Sequence, residues 1–267
     1  YKRQAYYRVN NEMAGVCVTS GPGAINALNG VIGAYQDSIP MIVISGQTKT
    51  TLTTQYSGLP LRTFGNQEFD IVSALNNACK YSEMITNPEK IRYCLEKAFF
   101  LARNGRPGPC WLDIPIDIQG ASINPEQQIG YIPGNLEIES EDKVDEKLDC
   151  LIMRLRDAKR PVIYAGNGIR IAGAQQQLIE LAEAYKIPVV TCWNSIDLIE
   201  TESNYYAGRA GIMGDRAGNF AVQNSDFLIC IGNRLNVYQI GYQYDSWARE
   251  AYKVMVDIDP LELKKPT

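Results

Sequence analysis

Residues 16–47 read VCVTSGPGAINALNGVIGAYQDSIPMIVISGQ, an apolar run, a glycine turn, a helical pattern and a second apolar run in succession. Val16–Val18 is a short apolar run that Ser20-Gly21-Pro22-Gly23 cuts off sharply. From Ala24 onward apolar residues recur at helical spacing. Ile25, Leu28 and Ile32 form one row, with Ala27, Val31, Ala34 and Tyr35 beside it. Met41–Ile44 is a second buried strand, closed by Ser45-Gly46-Gln47. The order strand, turn, helix, strand makes neighbouring parallel strands. Their carboxyl-end loops are where α/β folds bind ligands.

Outward from this unit the alternation continues. Residues 48–66 are a polar, Thr-rich loop, of a length that is usually functional or mobile. A short helix is expected over 67–76 and a strand over 80–85. Asn87-Pro88 starts a helix that runs to about Arg103, with Asn as N-cap and Pro at the first helical position. Gly105 ends it, and Gly-Arg-Pro-Gly-Pro (105–109) turns rigidly into strand Cys110–Ile114.

Residues 119–137 lack periodicity. The reading divides the chain into a first domain, 1–120, a linker, 121–139, and a second domain, 140–267. The second domain opens with a helix carrying Val144, Leu148, Leu151, Ile152 and Leu155 on one face. Strands follow at 161–165, 187–192, 227–231 and 253–258, with helices at 172–185 and near 217–223. Strands and helices alternate throughout. The expected fold class is α/β, with two parallel-sheet, Rossmann-like three-layer domains covered on both faces. Residues 1–14 read as the tail of a helix whose front precedes residue 1.

Composition narrows the chemistry. The 267 residues are 45% hydrophobic, enough for two cores, and the net charge is −4. Without basic runs, a nucleic-acid or anionic-membrane partner has no support. No apolar stretch reaches the roughly 18 residues of a membrane span. The seven cysteines are scattered and form no CxxC pair, so they read as reduced core thiols of a cytoplasmic protein. There is no histidine. Ser-His-Asp and Cys-His catalysis and the common His-ligated metals are excluded for this chain acting alone. Its chemistry would come from a carboxylate or a bound cofactor.

Candidate ligand loops follow from the strand ends. Gly21-Pro22-Gly23 is either a tight strand-to-helix connection or a loop that lets a ligand approach a helix N-terminus. Thr19, Ser20 and Asn26 add polar groups on that edge, and Gln67 could reach it. Gly166-Asn167-Gly168 is half of a dinucleotide fingerprint, with Ile171 where a third glycine would stand. Gly211-Ile212-Met213-Gly214, Gly232-Asn233-Arg234 and Asp257 lie near other strand ends. A strand-end carboxylate can accept from a ribose hydroxyl and an arginine can pair with phosphate, so the set points to a nucleotide-shaped ligand.

TSGPGAIN (19–26), AYQDSIPMIVISGQ (34–47), NQEFDIV (66–72), GRPGPCWLDIPID (105–117) and VDIDP (256–260) together resemble the thiamine-diphosphate enzymes of the acetolactate synthase group. The resemblance implies a partial pyrimidine-binding domain followed by the family's central domain. It implies thiamine diphosphate as cofactor, and Mg2+ held by a diphosphate-binding domain that has no counterpart here. The activating glutamate would lie ahead of residue 1, since Glu12 is too close to the next strand. No metal ligand is expected in this chain.

The implied activity is decarboxylation of a 2-keto acid, most simply pyruvate, and transfer of the two-carbon unit to a second carbonyl. By resemblance Thr19, Gly21, Pro22, Gly23 and Asn26 would line the thiamine site, and Gln67 would face the reacting carbon. Arg106, Gly166, Gly168, Thr191, Gly211, Met213, Gly232, Arg234 and Asp257 would lie along FAD. The thiamine site of this family forms between subunits, which implies a homo-oligomer, dimer or tetramer.

Four positions depart from the family pattern. Asn66 stands for a phenylalanine, Ile116 for a lysine, Met213 for a histidine and Tyr238 for an arginine. They leave open a keto-sugar or other ketone acceptor, and a second domain without flavin. A 2-keto acid decarboxylase or lyase and a non-catalytic nucleotide-binding module are the competing readings.

Overall fold

A computed structural model describes residues 2–134 and 141–266. The chain forms two compact units, Tyr1–Leu136 and Glu137–Thr267. The domain start expected near Ser140, and linker residues 135–139, lie outside the described residues.

The first unit opens with α1 (Lys2–Asn10), ended by left-handed Asn11 at φ 57°. Then come β1 (Ala14–Val18), α2 (Pro22–Gln36) and β2 (Met41–Gln47). They are followed by β3 (Tyr81–Met84), α3 (Ile91–Arg103) and β4 (Pro109–Pro115). The strand order is β1-β2-β4-β3, all parallel, with Ala14 beside Met41, Met41 beside Pro109 and Tyr81 beside Cys110. Alternate residues feed opposite faces. Val43 and Trp111 pack with Ala24, Val31 and Leu75, whereas Ile42 and Leu112 pack with Cys94 and Ala98. Each such large side chain, fully buried, contributes about 1.5–3 kcal/mol.

In the second unit α4 (Glu141–Asp157) precedes β5 (Pro161–Ala165), α5 (Gln175–Tyr185) and β6 (Val189–Thr191). β7 (Tyr206–Arg209), α6 (Arg216–Gln223), β8 (Phe227–Ile231) and β9 (Tyr252–Val256) complete it. The order is β7-β6-β5-β8-β9, again parallel. Val162, Tyr164, Leu228 and Cys230 face one core, and Ile163, Ala165, Phe227 and Ile229 the other. The winding reverses between β5 and β8, the position at which doubly wound sheets open a crevice.

Several expectations need correction. The helix expected over 67–76 is only Ile71–Ala74, because Gln67 is left-handed at φ 55° and Asp70 caps the turn by accepting from Ser73 N at 3.0 Å. In α2 the row Ile25, Leu28, Ile32 is not the buried one. Ile25 and Ile32 are exposed, and Ala24, Val31 and Ala34 are buried, so small side chains bring the helix close to the sheet. β7 was not expected, since Tyr-Ala-Gly-Arg has no apolar run and pairs only at the sheet edge. Gly173 at φ 67° delays α5 to Gln175, after a separate turn at Gly168–Ile171. Of the thiols, Cys17 and Cys150 are exposed rather than in the core.

Candidate functional site

At the carboxyl end of β1 the chain reverses through Gly21, buried and left-handed at φ 53°. Pro22 occupies the first turn of α2, where its missing N–H costs nothing. The turn meets Gln67 directly. A Cβ added to Gly21 would lie 2.3 Å from the Gln67 carbonyl oxygen and 3.4 Å from Gln67 Cβ. One on Gly23 would lie 2.6 Å from Thr19 Cγ2. The structure therefore brings Thr19, Gly21, Gly23 and Gln67 together. Thr19, Pro22, Asn26 and Gln67 are all exposed. Among the described residues the side chains of Thr19, Asn26 and Gln67 make no hydrogen bond, which leaves their polar groups available to a ligand.

Beneath this edge is a polar network without an assigned role in the sequence reading. Trp111 Nε1 donates to Ser45 Oγ at 2.7 Å, and Ser45 Oγ donates to Asp113 Oδ1 at 2.5 Å. Gln47 Nε2 donates to Asp113 Oδ2 at 2.9 Å and to the Phe69 carbonyl at 3.0 Å. Asp113 is 1% exposed. A carboxylate buried in an apolar strand needs such donors. The acid inside Trp111-Leu112-Asp113-Ile114 was the available sequence signal, beside Ser45 and Gln47 at the end of β2.

Burial pushes the Asp113 carboxyl up to about 6, opposed by the Ser45 and Gln47 hydrogen bonds, while the Asp70 charge adds to the rise. An acid whose folded pKa exceeds its unfolded one holds its proton more firmly in the native state. Stability is therefore lost as pH rises between the two values. The stability difference between wild type and Asp113→Asn should fall by about 3 kcal/mol from about pH 4 to about pH 7. Denaturant-dependent hydrogen exchange at β2 and β4 amides measures it, and a flat difference would contradict the assignment.

Arg106 lies elsewhere in this unit. It precedes β4 at the amino end of the strands, and its Nε donates to Ser38 Oγ at 2.9 Å. The first unit does not bring it to the Gly21 turn.

The second unit gathers most of its predicted residues at the carboxyl edge of its sheet. Gly166, Gly168 and Gly232 pack backbone against backbone. A Cβ on Gly166 would lie 2.2 Å from the Gly232 carbonyl oxygen, and one on Gly168 would lie 2.7 Å from Gly232 Cα. Gly168 N donates to the Gly232 carbonyl at 3.0 Å, and Gly232 N to the Val256 carbonyl at 2.8 Å, one residue before Asp257. Asp257 Oδ1 accepts from Asp259 N at 2.9 Å. These glycines thus have a packing reason of their own.

Gly211, at φ 99°, lies against the Tyr238 carbonyl, which accepts from Ile212 N at 2.8 Å. Met213 and Tyr238 are exposed. Thr191 ends β6 fully buried, and its carbonyl accepts from Ala210 N at 3.1 Å. Arg234 is half-buried, and its carbonyl accepts from Lys265 Nζ. Sequence reasoning missed a buried polar cluster here. Tyr164 Oη donates to the Ala210 carbonyl at 3.3 Å, and Gln239 Nε2 donates to Cys192 Sγ at 2.9 Å. Burial pushes the Cys192 thiol up to about 11, so it stays protonated. Thr191 Oγ1 is buried and has no partner among the described residues, whereas the Asn233 amide interacts with Tyr164 and Cys192 inside the cluster. An orphaned group such as the Thr191 hydroxyl fits a ligand with a polar atom at this edge. Among the described residues no group of acids and cysteines could hold a metal ion, and no helix is long and apolar enough to cross a membrane.

Residues 4–74 match the family described as thiamine pyrophosphate enzyme, N-terminal TPP binding domain, and residues 148–267 match thiamine pyrophosphate enzyme, central domain. The chain is 36% identical over 264 residues to a probable acetolactate synthase large subunit of Methanocaldococcus jannaschii, covering 94% of this chain and 42% of that protein. It is 33% identical over 263 residues to the acetolactate synthase isozyme 3 large subunit of Escherichia coli, covering 97% and 44%. The acetolactate synthase large subunit of Corynebacterium glutamicum is 36% identical over 257 residues, covering 94% and 39%. The chain spans less than half the length of these relatives. With both domain types matched in order, each on its own parallel α/β unit, the chain belongs to the thiamine pyrophosphate enzymes.

Proposed function

We propose that the protein is a carboligase of acetolactate synthase type. It would decarboxylate a 2-keto acid, pyruvate in the simplest case, and transfer the two-carbon unit to a second carbonyl. The observation that carries this reading is the Gly21-Pro22-Gly23 turn seated on Gln67, with the Thr19, Asn26 and Gln67 side chains left unbonded beside it. When bound, thiamine diphosphate supplies the electron sink for loss of carbon dioxide. Thr19, Pro22 and Asn26 would line its pyrimidine side, and Gln67 would orient the reacting carbonyl. Close packing at Gly21 and Gly23 fixes the spacing between those groups, and positioning of this kind is a large part of catalysis.

FAD would lie along the carboxyl edge of the second sheet, beside Gly166, Gly168, Gly211, Met213, Gly232, Arg234 and Asp257. There Thr191 Oγ1 would gain the partner it lacks. Arg106, bonded to Ser38 at the amino end of the first sheet, is kept in the flavin set by the family resemblance alone. Mg2+ would accompany the diphosphate of the cofactor, and no residue of this sequence is proposed to hold it. We further infer a cytoplasmic location and a homo-oligomer, the oligomer supported by exposed Ile25, Ile32 and Tyr35 on one face of α2.

A non-pyruvate acceptor such as a keto sugar is the second reading. It is favoured by exposed Asn66, next to Gln67, and exposed Ile116, which follows β4 at the same edge. The full protein with thiamine diphosphate, Mg2+ and pyruvate should release carbon dioxide and form a new carbon–carbon bond. Product analysis with and without added ketones identifies the acceptor. Aldehyde as the sole product would replace the carboligase reading with a lyase, and no carbon dioxide from any 2-keto acid would end both.

A further inference from the structure

The long connection from β2 to the short helix at Ile71 bears Gln67 at its far end. It contains only two single turns, Thr50–Leu52 and Thr54–Ser57, and its surface is exposed at Tyr56, Leu59, Leu61 and Phe64. Local side-chain bonds such as Thr53 Oγ1 to the Thr50 carbonyl shape its turns, and among the described residues Asp117, Gln47 and Glu68 make the side-chain ties that span more than three residues. Asp117 accepts from Thr50 N at 2.9 Å and Thr50 Oγ1 at 3.0 Å. Gln47, fixed by Asp113, donates to the Phe69 carbonyl.

Between these lies Glu68, 8% exposed although its neighbours Gln67 and Phe69 point to solvent. Its Oε1 accepts from both Thr54 N and Thr54 Oγ1 at 2.7 Å, and its Oε2 accepts from Phe64 N at 2.8 Å. One carboxylate thereby ties both limbs of the loop together. The tie is adjacent to the left-handed Gln67 backbone, whose carbonyl lies against Gly21.

We propose that Glu68 is a positioning residue, the clamp that closes the 48–69 loop and holds Gln67 against the Gly21 turn. Its significance for turnover rests on the carboligase reading above. The clamp itself does not. The division of labour within the carboxylate is specific. In Glu68→Gln the amide oxygen can keep both Thr54 bonds, but the amide nitrogen meets Phe64 N–H donor to donor. Glu68→Ala removes all three acceptances.

The test uses the full protein and two readouts. In Glu68→Gln, amide hydrogen exchange should accelerate at least about tenfold at Phe64 and much less at Thr54, with β2 and β4 amides unchanged. In Glu68→Ala both loop amides should accelerate. Should the alanine variant fail to fold, the glutamine variant decides alone. Pyruvate turnover should fall about tenfold in Glu68→Gln, and the same substitution should have no further effect in a Gln67→Ala background. Wild-type exchange at Phe64 would overturn the clamp. Additive loss in the double variant would overturn action through Gln67. A preparation with no activity on any 2-keto acid would end the carboligase reading, yet accelerated Phe64 exchange in that same preparation would still support the clamp.

Discussion

Gly166→Ala is expected to destabilise the second unit by about 3 kcal/mol, at the upper end of what overpacking usually costs. The new methyl would sit 2.2 Å from the Gly232 carbonyl oxygen and 2.5 Å from Asn233 Cα, and both obstacles are backbone. Neither can rotate away. Gly232 is itself left-handed at φ 57° and closes against Gly168, so movement there displaces a second tight contact. The turns involved follow β5 and β8, paired strands at the centre of the sheet. Gly173→Ala is the appropriate comparison. Gly173 is left-handed at φ 67° with nothing within 4 Å of an added Cβ, so it carries backbone strain without crowding, roughly 1–2 kcal/mol. Urea unfolding of the two variants separates the effects. If Gly166→Ala loses no more than Gly173→Ala, the backbone contact is not what fixes glycine there.

Gly21→Ala should lower turnover about a hundredfold while leaving the fold intact, the scale of loss that follows a displacement of about 1 Å in a reacting group. An alanine at φ 53° is strained, and its methyl would press on the Gln67 carbonyl oxygen at 2.3 Å and carbonyl carbon at 3.1 Å. Gln67 belongs to an exposed loop segment, so the loop yields before the sheet does. Gly105→Ala shares the left-handed backbone, at φ 63°, but has open space around it, and it controls for strain alone. Circular dichroism checks folding, steady-state kinetics with pyruvate reads the effect, and wild-type turnover in Gly21→Ala would show that the turn does not seat Gln67.

The parts of this molecule legible in sequence are those written locally. Val16–Val18, Met41–Ile44 and Phe227–Ile231 are apolar runs, and Gly21-Pro22-Gly23 and Gly166-Asn167-Gly168 interrupt at the right places, so strand, turn and helix could be assigned from neighbours alone. The family motifs extended this to both units. What escaped depends on residues far apart in the chain. Choosing the small face of α2 over its bulkier row is settled by how closely the helix approaches the sheet. The left-handed Gln67 is imposed by the Gly21 contact and the loop around it, and no helix-start signal could reveal it. Asp113 and Glu68 look like ordinary acids until Ser45, Gln47, Thr54 and Phe64 are brought to them. In the second unit, glycines that could equally have served a nucleotide are needed first for contact with each other.

The parallel pairing of the first sheet also dictates an order of events on the ribosome. No hairpin can form there, since each strand pair needs a crossover. β2 pairs β1 early, but its other edge waits for β4, and Ser45 and Asp113 are 68 residues apart in the chain. Until β4 emerges, the nascent Met41-Ile42-Val43-Ile44 segment presents an unpaired apolar edge, a template for misassociation. The loop that carries Gln67 is synthesised in that interval, before Asp113 and Asp117 exist to anchor it. The Glu68 ties lie within the loop, but its anchoring to the sheet comes from downstream, so a pause in translation just short of β4 would prolong the chain's most aggregation-prone state.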